Sequence, residues 1–422
     1  MTDYPRKGVY NVAKRCLDDT DYWKRKLCTD ECPYYDTCIY RTNKEKAKQQ
    51  LAELKEQEEI LRTSNRHDIG ELQIYQSYSL ERKIQLTRQR IEAWYEWWDG
   101  NVYVSFSGGK DSTVLLDLVR NVCGYKEVPA VFVDTGLEYP EIREFVKKFD
   151  NVIWLKPKKN FKQVIKEYGY PFISKEVSNA VGSARNWLER KNKDEKKPPL
   201  RLRQLRGIEK NKDGDLSTFN KQKYEFMLES PYRFSDRCCG VMKKNPAHEY
   251  SKKTGRYPMT GEQATESRQR EQKWIENGCN GFYLKEPKST PMSFWTEQDI
   301  LLYIKLNNLE IASVYGDIVE DISGTEEVEG QMTFSDCEIC KDLKMFDAAR
   351  PPLTTTGCKR TGCMFCGFGC HLEKEGEGRF ERMKETHPKQ YEYIMKPESE
   401  GGLNYKEVID WINENGNLNI RY

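Results

Sequence analysis

An apolar run, Val102-Tyr-Val-Ser-Phe106, passes without a break into Ser107-Gly108-Gly109-Lys110-Asp111-Ser112. No other stretch constrains the chain as strongly, because it specifies a strand, a tight anion-holding loop and the start of a helix in succession. Two glycines let the backbone turn sharply and point successive N–H groups inward, which forms a concavity for an anion. Ser112 is placed to cap a helix from Thr113 to about Val122, whose N-terminus adds partial positive charge. Lys110 adds a mobile full charge. The spacing differs from Gly-x-x-x-x-Gly-Lys-Ser/Thr, so an ordinary kinase or GTPase is disfavoured. A surface turn with accidental glycines is the alternative reading.

Around the loop, residues 102–155 predict strand, loop, helix, strand, helix, strand, with strands at Val102–Phe106, Ala130–Asp134 and Val152–Leu155. Continuous apolar strands alternating with helices imply an α/β fold with a parallel sheet covered on both faces. Ligands of such sheets lie at the carboxyl ends of strands. Ser107 and the turn Asp134-Thr135-Gly136 both fall at such ends and are expected around one crevice. Helices are predicted over Asn43 to about Arg62 and over Ile74 to Trp98. The run Trp94-Tyr95-Glu-Trp97-Trp98 reads as core packing rather than a base-stacking platform. Tyr257–Gly261 reads as a further strand and turn, Thr296 caps a helix with Asp299 three residues on, and a final amphipathic helix spans about Tyr405–Asn415.

Fourteen cysteines in 422 residues is high usage. The N-terminal stretch is too polar for a signal peptide, and no apolar run approaches the roughly 20 residues that cross a bilayer. Together these predict a cytoplasmic chain, no membrane partner, and cysteines serving as metal or cluster ligands. Overall charge is nearly balanced, with 69 Lys and Arg against 67 Asp and Glu, and so points to no partner. Residues 185–223 depart from that balance, with thirteen Lys and Arg against six acidic residues. They read as an insertion that is either a solvated loop or a nucleic-acid contact surface, since clustered cations are what counterion release requires.

Five motifs in order resemble the phosphoadenosine phosphosulfate (PAPS) reductase family of the PP-loop superfamily. They are Ser107–Ser112, the strand end Val131-Phe-Val-Asp134-Thr135-Gly136, Arg237-Cys238-Cys239…Lys243-Lys244, Gly261…Glu266-Ser267…Arg270, and Pro291…Trp295-Thr296…Asp299. The resemblance spans roughly Ile74–His371. It implies an adenine nucleotide alpha hydrolase-like domain at 74–310, including the 185–223 insertion. Flanking it are a helical, cysteine-containing extension at 1–73 and a Cys-rich module with a terminal helix at 311–422. It further implies that Ser107, Gly108, Gly109, Lys110, Asp111 and Ser112 bind phosphate and that Asp134, Thr135 and Gly136 border the nucleoside. Arg268 and Arg270 would approach the anionic end of the ligand, and both join Lys110, Asp111 and Cys370 as catalytic candidates. Pairing of Glu266 with Arg268 or Arg270 is the simpler role for that glutamate.

Cys238-Cys239 with Cys363-Met-Phe-Cys366 resembles the arrangement that holds a [4Fe–4S] cluster in adenylyl sulfate reductases and related ATP-using sulfurtransferases. Lys243 and Lys244 would offset its negative charge. A zinc ribbon from Cys337-x-x-Cys340 and Cys363-x-x-Cys366 competes with this assignment, and Cys337, Cys340, Cys358 and Cys370 could form a site of their own. Cys16, Cys28, Cys32 and Cys38 have the density of a second metal site without a recognisable spacing. Cys123 and Cys279 read as packed apolar residues. His371 reads as a surface or core residue.

Two departures bear on the reaction. Gln263 stands in the neighbourhood, soon after Gly261, where family reductases usually carry an arginine. The tail Glu414–Tyr422 also lacks the catalytic cysteine of sulfate-assimilation reductases, for which Cys370-His371 is the available substitute. The favoured reading is ATP-dependent adenylation followed by sulfur transfer to a nucleic-acid or small acceptor, in which a cluster-bound sulfide or persulfide displaces AMP and a sulfur donor is a further partner. The alternative is reduction of adenylyl sulfate or PAPS to sulfite by a thioredoxin-like reductant, which needs a cysteine nucleophile. A nucleotide-binding regulator without turnover is the third.

Overall fold

The computed structural model describes residues 67–190, 198–321 and 351–422. The predicted helix at 43–62, the set Cys16, Cys28, Cys32 and Cys38, and the pair Cys337 and Cys340 lie outside them. Among the described residues the strands are β1 Val102–Ser105, β2 Ala130–Val133, β3 Val152–Leu155, β4 Phe172–Ile173, β5 Tyr257–Met259, β6 Asn280–Gly281, β7 Lys288–Ser289, β8 Ile318–Glu320, β9 Leu353–Thr355 and β10 Gly367–Phe368. The chain divides into two compact units. The first holds residues up to Tyr103 with Asp117–Val128 and Tyr257–Asp299; the second holds Val104–Leu116, Pro129–Arg256 and Ile300–Tyr422. The α/β class with a mostly parallel sheet is as the strand pattern predicts.

In the first unit the helices Ile69–Gln76 and Leu80–Trp97 stand where the apolar pattern predicts one helix from Ile74, and a further helix spans Arg268–Asn277. The break between the first two has a local cause. The Ser77 N–H bonds back to the Gln73 carbonyl, and the Ser79 side chain accepts the Arg82 N–H, so one serine ends a helix and the next starts another. Trp94 is fully buried and Trp98 stacks on Tyr257 with ring centroids 3.5 Å apart, so the tryptophan run is core packing. Strand order here is β1-β5-β7-β6, with β5 parallel and β6 antiparallel to β7.

Thr296 and Asp299 cap the helix Glu297–Leu306 reciprocally. The Thr296 N–H meets Asp299 Oδ2 at 2.6 Å and the Asp299 N–H meets Thr296 Oγ1 at 3.3 Å. Asp299 also pairs with buried Lys83 at 2.7 Å, and Trp295 Nε1 donates to Thr87 Oγ1 at 2.8 Å. The last family motif therefore fastens this unit together.

In the second unit the end of β1 pairs in parallel with β2 (Val104↔Ala130), and β2 pairs in parallel with β3 (Ala130↔Val152). β1 and β2 are almost entirely buried. One apolar core gathers the helices Phe161–Tyr168, Lys175–Leu188 and Tyr405–Gly416 around Phe172, Phe234, Phe365 and Phe380. Leu202 and Leu205 are fully buried in it, so part of the basic insertion is core. The residues Gly367-Phe368 run parallel to Phe172-Ile173, which anchors the C-terminal cysteine segment to the same core. No described helix is long and apolar enough to cross a membrane.

Candidate functional site

β1 ends at Ser105, and the helix begins at Lys110, three residues earlier than the sequence predicts. Ser107 makes the turn, its hydroxyl 3.3 Å from the Gly109 N–H. Ser112 lies inside the first helical turn and braces the loop from there. Its Oγ accepts the Ser107 N–H at 3.2 Å and donates to the Gly109 carbonyl at 2.9 Å. Gly108 has φ +71°, and a Cβ there would stand 2.7 Å from Val146 Cγ2 and 2.8 Å from Ile142 Cγ2. Glycine is required on both conformational and packing grounds.

Lys110 is only 4% exposed. Its ammonium donates to the Lys359 carbonyl at 2.8 Å and stands 5.3 Å from the centre of the Tyr315 ring. Neither Lys359 nor Tyr315 is marked by a sequence motif.

At the end of β2 the turn is locked by side chains. Thr135 donates its N–H (3.0 Å) and hydroxyl (2.8 Å) to the Glu138 carboxylate, and Arg143 pairs with Asp134 at 2.9 Å. The Thr-x-x-Glu spacing is the sequence signal for the first of these locks; nothing local marks Arg143.

The cysteine segment reaches this turn. The Met364 N–H donates to the Leu137 carbonyl at 2.8 Å, and Lys243 lies 3.3 Å from Glu138. Burial opposes the charge on Lys243, but Cys363 and Glu138 outweigh it and raise its pKa. The Cys238 thiol donates to Cys239, and Lys175, Lys243 and Lys244 add positive charge, so Cys239 is lowered to about 6 despite burial. Cys238 is raised by the same hydrogen bond and by burial, and further by the proximity of Cys239, Cys366 and Cys363. Burial pushes Cys363 up to about 11, against the pull of Lys243, and burial also raises Cys366.

The four predicted cluster ligands thus share one electrostatic neighbourhood in the second unit. The described cysteines are all free thiols. Among the described residues, no group of three or more His, Cys, Asp or Glu side chains is arranged to hold a metal ion.

Cys370 is 2% exposed, its thiol faces the Cys366 carbonyl at 3.6 Å, and burial raises its pKa far above that of a free thiol. Arg379 holds the same Cys366 carbonyl at 2.6 Å and pairs with Glu373 at 2.8 Å. His371 meets the Tyr224 hydroxyl at 3.2 Å, a packed rather than reactive position.

In the first unit, Arg270 pairs with Glu266, the simpler role expected of that glutamate, and lies 3.9 Å from Glu262. Lys288 also binds Glu262, at 2.9 Å. Arg268 is exposed. Cys279 is buried beside Ser293, and burial pushes half-buried Cys123 up to about 12. In the insertion, Arg203 and Lys221 are paired with Glu209 and Glu176, while Lys210, Lys212 and Lys223 are exposed.

The family model for the phosphoadenosine phosphosulfate reductase domain matches residues 101–184 and 203–367, more than half the chain. The gap between the two matched stretches falls at the start of the basic insertion. Two uncharacterized proteins of Methanocaldococcus jannaschii are similar over short stretches. MJ0066 is 42% identical over 74 residues, 17% of this chain and 15% of that protein. MJ0973 is 38% identical over 99 residues, 22% of this chain and 23% of that protein. The chain therefore spans less than a quarter of either relative. A crystal structure of phosphoadenylyl-sulfate reductase from Candida auris, in a phosphate complex, matches at 17% identity and TM-score 0.30, covering 56% of this chain and 91% of that one.

Proposed function

The chain belongs to the phosphoadenosine phosphosulfate reductase family, a family of nucleotide-binding enzymes of sulfur metabolism, and from that premise we propose that it adenylates an acceptor with ATP and replaces the activated oxygen by sulfur. The observation that carries this reading is the Met364 N–H bond to the Leu137 carbonyl, which fastens the cysteine pair to the turn at the end of β2. Thiols and the predicted nucleoside turn are neighbours in one unit.

An acceptor oxygen attacks the α-phosphorus of ATP, the bond to the bridging oxygen breaks, and pyrophosphate leaves with the electron pair. The loop N–H groups and Lys110 stabilise that leaving charge. A sulfide donor then attacks the activated acceptor atom, and AMP departs with the oxygen. The acceptor is a nucleic acid or a small molecule; exposed Lys210, Lys212 and Lys223 support the former.

Cys238, Cys239, Cys363 and Cys366 fit a [4Fe–4S] cluster by donor chemistry. They are four thiols in mutual electrostatic reach, one already biased toward thiolate, with Lys175, Lys243 and Lys244 to balance charge. When bound, such a cluster would supply iron sites able to hold sulfide. These cysteines would ligate it, and the lysines would offset its negative charge.

Burial of the Cys370 thiol weighs against the reductase alternative, which needs an accessible thiolate nucleophile. Anaerobically purified protein is tested for AMP formation and for thermal stabilisation by ATP, adenylyl sulfate or PAPS. At about 100 times its dissociation constant the true ligand adds roughly 2.7 kcal/mol. ATP should stabilise the wild type, and AMP formation should survive Cys370→Ser while falling by about 10²–10³-fold in Lys110→Ala. Sulfite release from a sulfonucleotide, abolished by Cys370→Ser, would overturn the proposal in favour of the reductase.

A further inference from the structure

The wall over the phosphate loop comes from two segments that no motif covers. Residues 313–320 and 353–358 are zipped together by antiparallel pairing of β8 with β9 (Ile318↔Thr355). Beyond the strands the zip continues. The Gly357 N–H donates to the Tyr315 carbonyl at 2.8 Å and the Cys358 N–H to the Val314 carbonyl at 2.9 Å. The approach is close enough that a Cβ on Gly357 would stand 2.4 Å from the Val314 oxygen. This wall is a built and tightly packed element.

It delivers three groups to the loop. The Tyr315 hydroxyl meets Thr361 Oγ1 at 2.5 Å, and a Cβ on Gly109 would lie 3.3 Å from the first oxygen and 3.7 Å from the second. The ring of the same tyrosine stands 5.3 Å from the Lys110 ammonium, and the Lys359 carbonyl accepts from that ammonium at 2.8 Å. A lysine side chain has four rotatable bonds, and holding its charge at one point costs rotamer entropy. A π face and a carbonyl together restrict it before any anion arrives, and an aromatic face holds an ammonium more strongly where water is excluded. Burial pushes the Tyr315 hydroxyl up to about 12, so it stays neutral, with Thr361 and the Lys110 backbone as its hydrogen-bond partners.

We infer that Tyr315, braced by Thr361, is a positioning residue that fixes the Lys110 ammonium over the phosphate loop and thereby sets affinity for the phosphate end of the nucleotide. The inference rests on the reading of residues 107–112 as a nucleotide-phosphate site.

Binding of ATP and of adenosine to the full chain is measured by calorimetry for the wild type, Lys110→Ala, Tyr315→Leu, Tyr315→Phe and the double variant Lys110→Ala/Tyr315→Leu. Tyr315→Leu should weaken ATP about tenfold, the loss expected of a buried cation–π contact. Adenosine affinity should hold. Tyr315→Phe keeps the ring and should recover most of the lost ATP affinity, which a role confined to the hydroxyl would not allow. In the Lys110→Ala background, Tyr315→Leu should weaken ATP no further, because the two residues act through one charge.

Equal losses for ATP and adenosine, or additive losses in the double variant, would overturn the positioning role while leaving the phosphate site standing. If Lys110→Ala bound ATP as the wild type does, the phosphate site itself would fall, and the inference with it.

Discussion

In the phosphate loop, the contacts that fix the backbone close within a few residues. Ser107 meets Gly109 and Ser112, and Ser112 and Thr113 both bond the Gly109 carbonyl. The cysteine set is built the other way. Cys238-Cys239 comes from a short helical turn, Cys363 and Cys366 come from a distant segment, and the two meet only because larger elements carry them. Arg379, Tyr405 and Leu137 hold the second pair from three further parts of the chain, through the carbonyls of Cys366 and Phe365 and the N–H of Met364. A local site can be lost by one substitution inside it. An assembled site can be lost from outside, with its ligands intact.

The largest effect should come from inside the loop. Lys110→Ala removes the charge proposed to meet the leaving pyrophosphate and should lower AMP formation by about 10²–10³-fold, with the iron content of reconstituted protein unchanged. A fall in iron content of similar size would mean that the two sites are not separable.

Gly108→Ala should come next. It forces a side chain into left-handed backbone and against Val146 and Ile142, which costs on the order of 1–3 kcal/mol of stability in denaturant unfolding. ATP binding should fall with it, since the same turn directs the loop N–H groups.

Arg379→Ala tests the assembled side. Loss of charged hydrogen bonds to the Cys366 carbonyl and to Glu373 should cost about 1.5–3 kcal/mol and reduce iron retention. ATP affinity should stay within about twofold, a difference under roughly 0.5 kcal/mol. If ATP affinity collapsed instead, the cysteine segment would be part of the nucleotide site rather than its neighbour.

The smallest effect serves as a control in the first unit. Burial opposes ionisation of Glu262, but Lys288 and Arg270 outweigh it and hold its carboxyl below the usual range. Its contribution to stability is therefore complete above the ordinary glutamate value near 4.3 and is lost as pH falls through the lower folded value. Glu262→Gln should flatten unfolding stability over that acid window by about 0.5–1 kcal/mol, the scale of a partly exposed pair. Pyrophosphate release at neutral pH should be untouched.

The strands β1 and β2, the helix cap at Thr296, the terminal helix Tyr405–Gly416 and the core role of the tryptophan run were legible because each depends on residues a few positions apart. The split at Ser77–Ser79 was hidden by an apolar pattern that runs through it, since hydrophobic period reports burial and not hydrogen bonding. Asp299 could be read as a cap but not as the partner of Lys83, because an ion pair across 216 positions leaves no spacing to read. Composition suggested a solvated insertion, yet Leu202 and Leu205 bury themselves completely, which a charge count cannot register.

By itself the sequence determined the turn at Gly108-Gly109, the helix that starts on it, the parallel order of the first strands and the identity of the thiols. Those are consequences of backbone conformational freedom, side-chain period and residue chemistry, all of which act locally. Only the tertiary structure decided that Tyr315 and Lys359 flank the Lys110 ammonium, that Met364 joins the turn after β2, and that Cys370 is buried. Each depends on which surfaces pack together, and packing is chosen by the whole core rather than by any one segment.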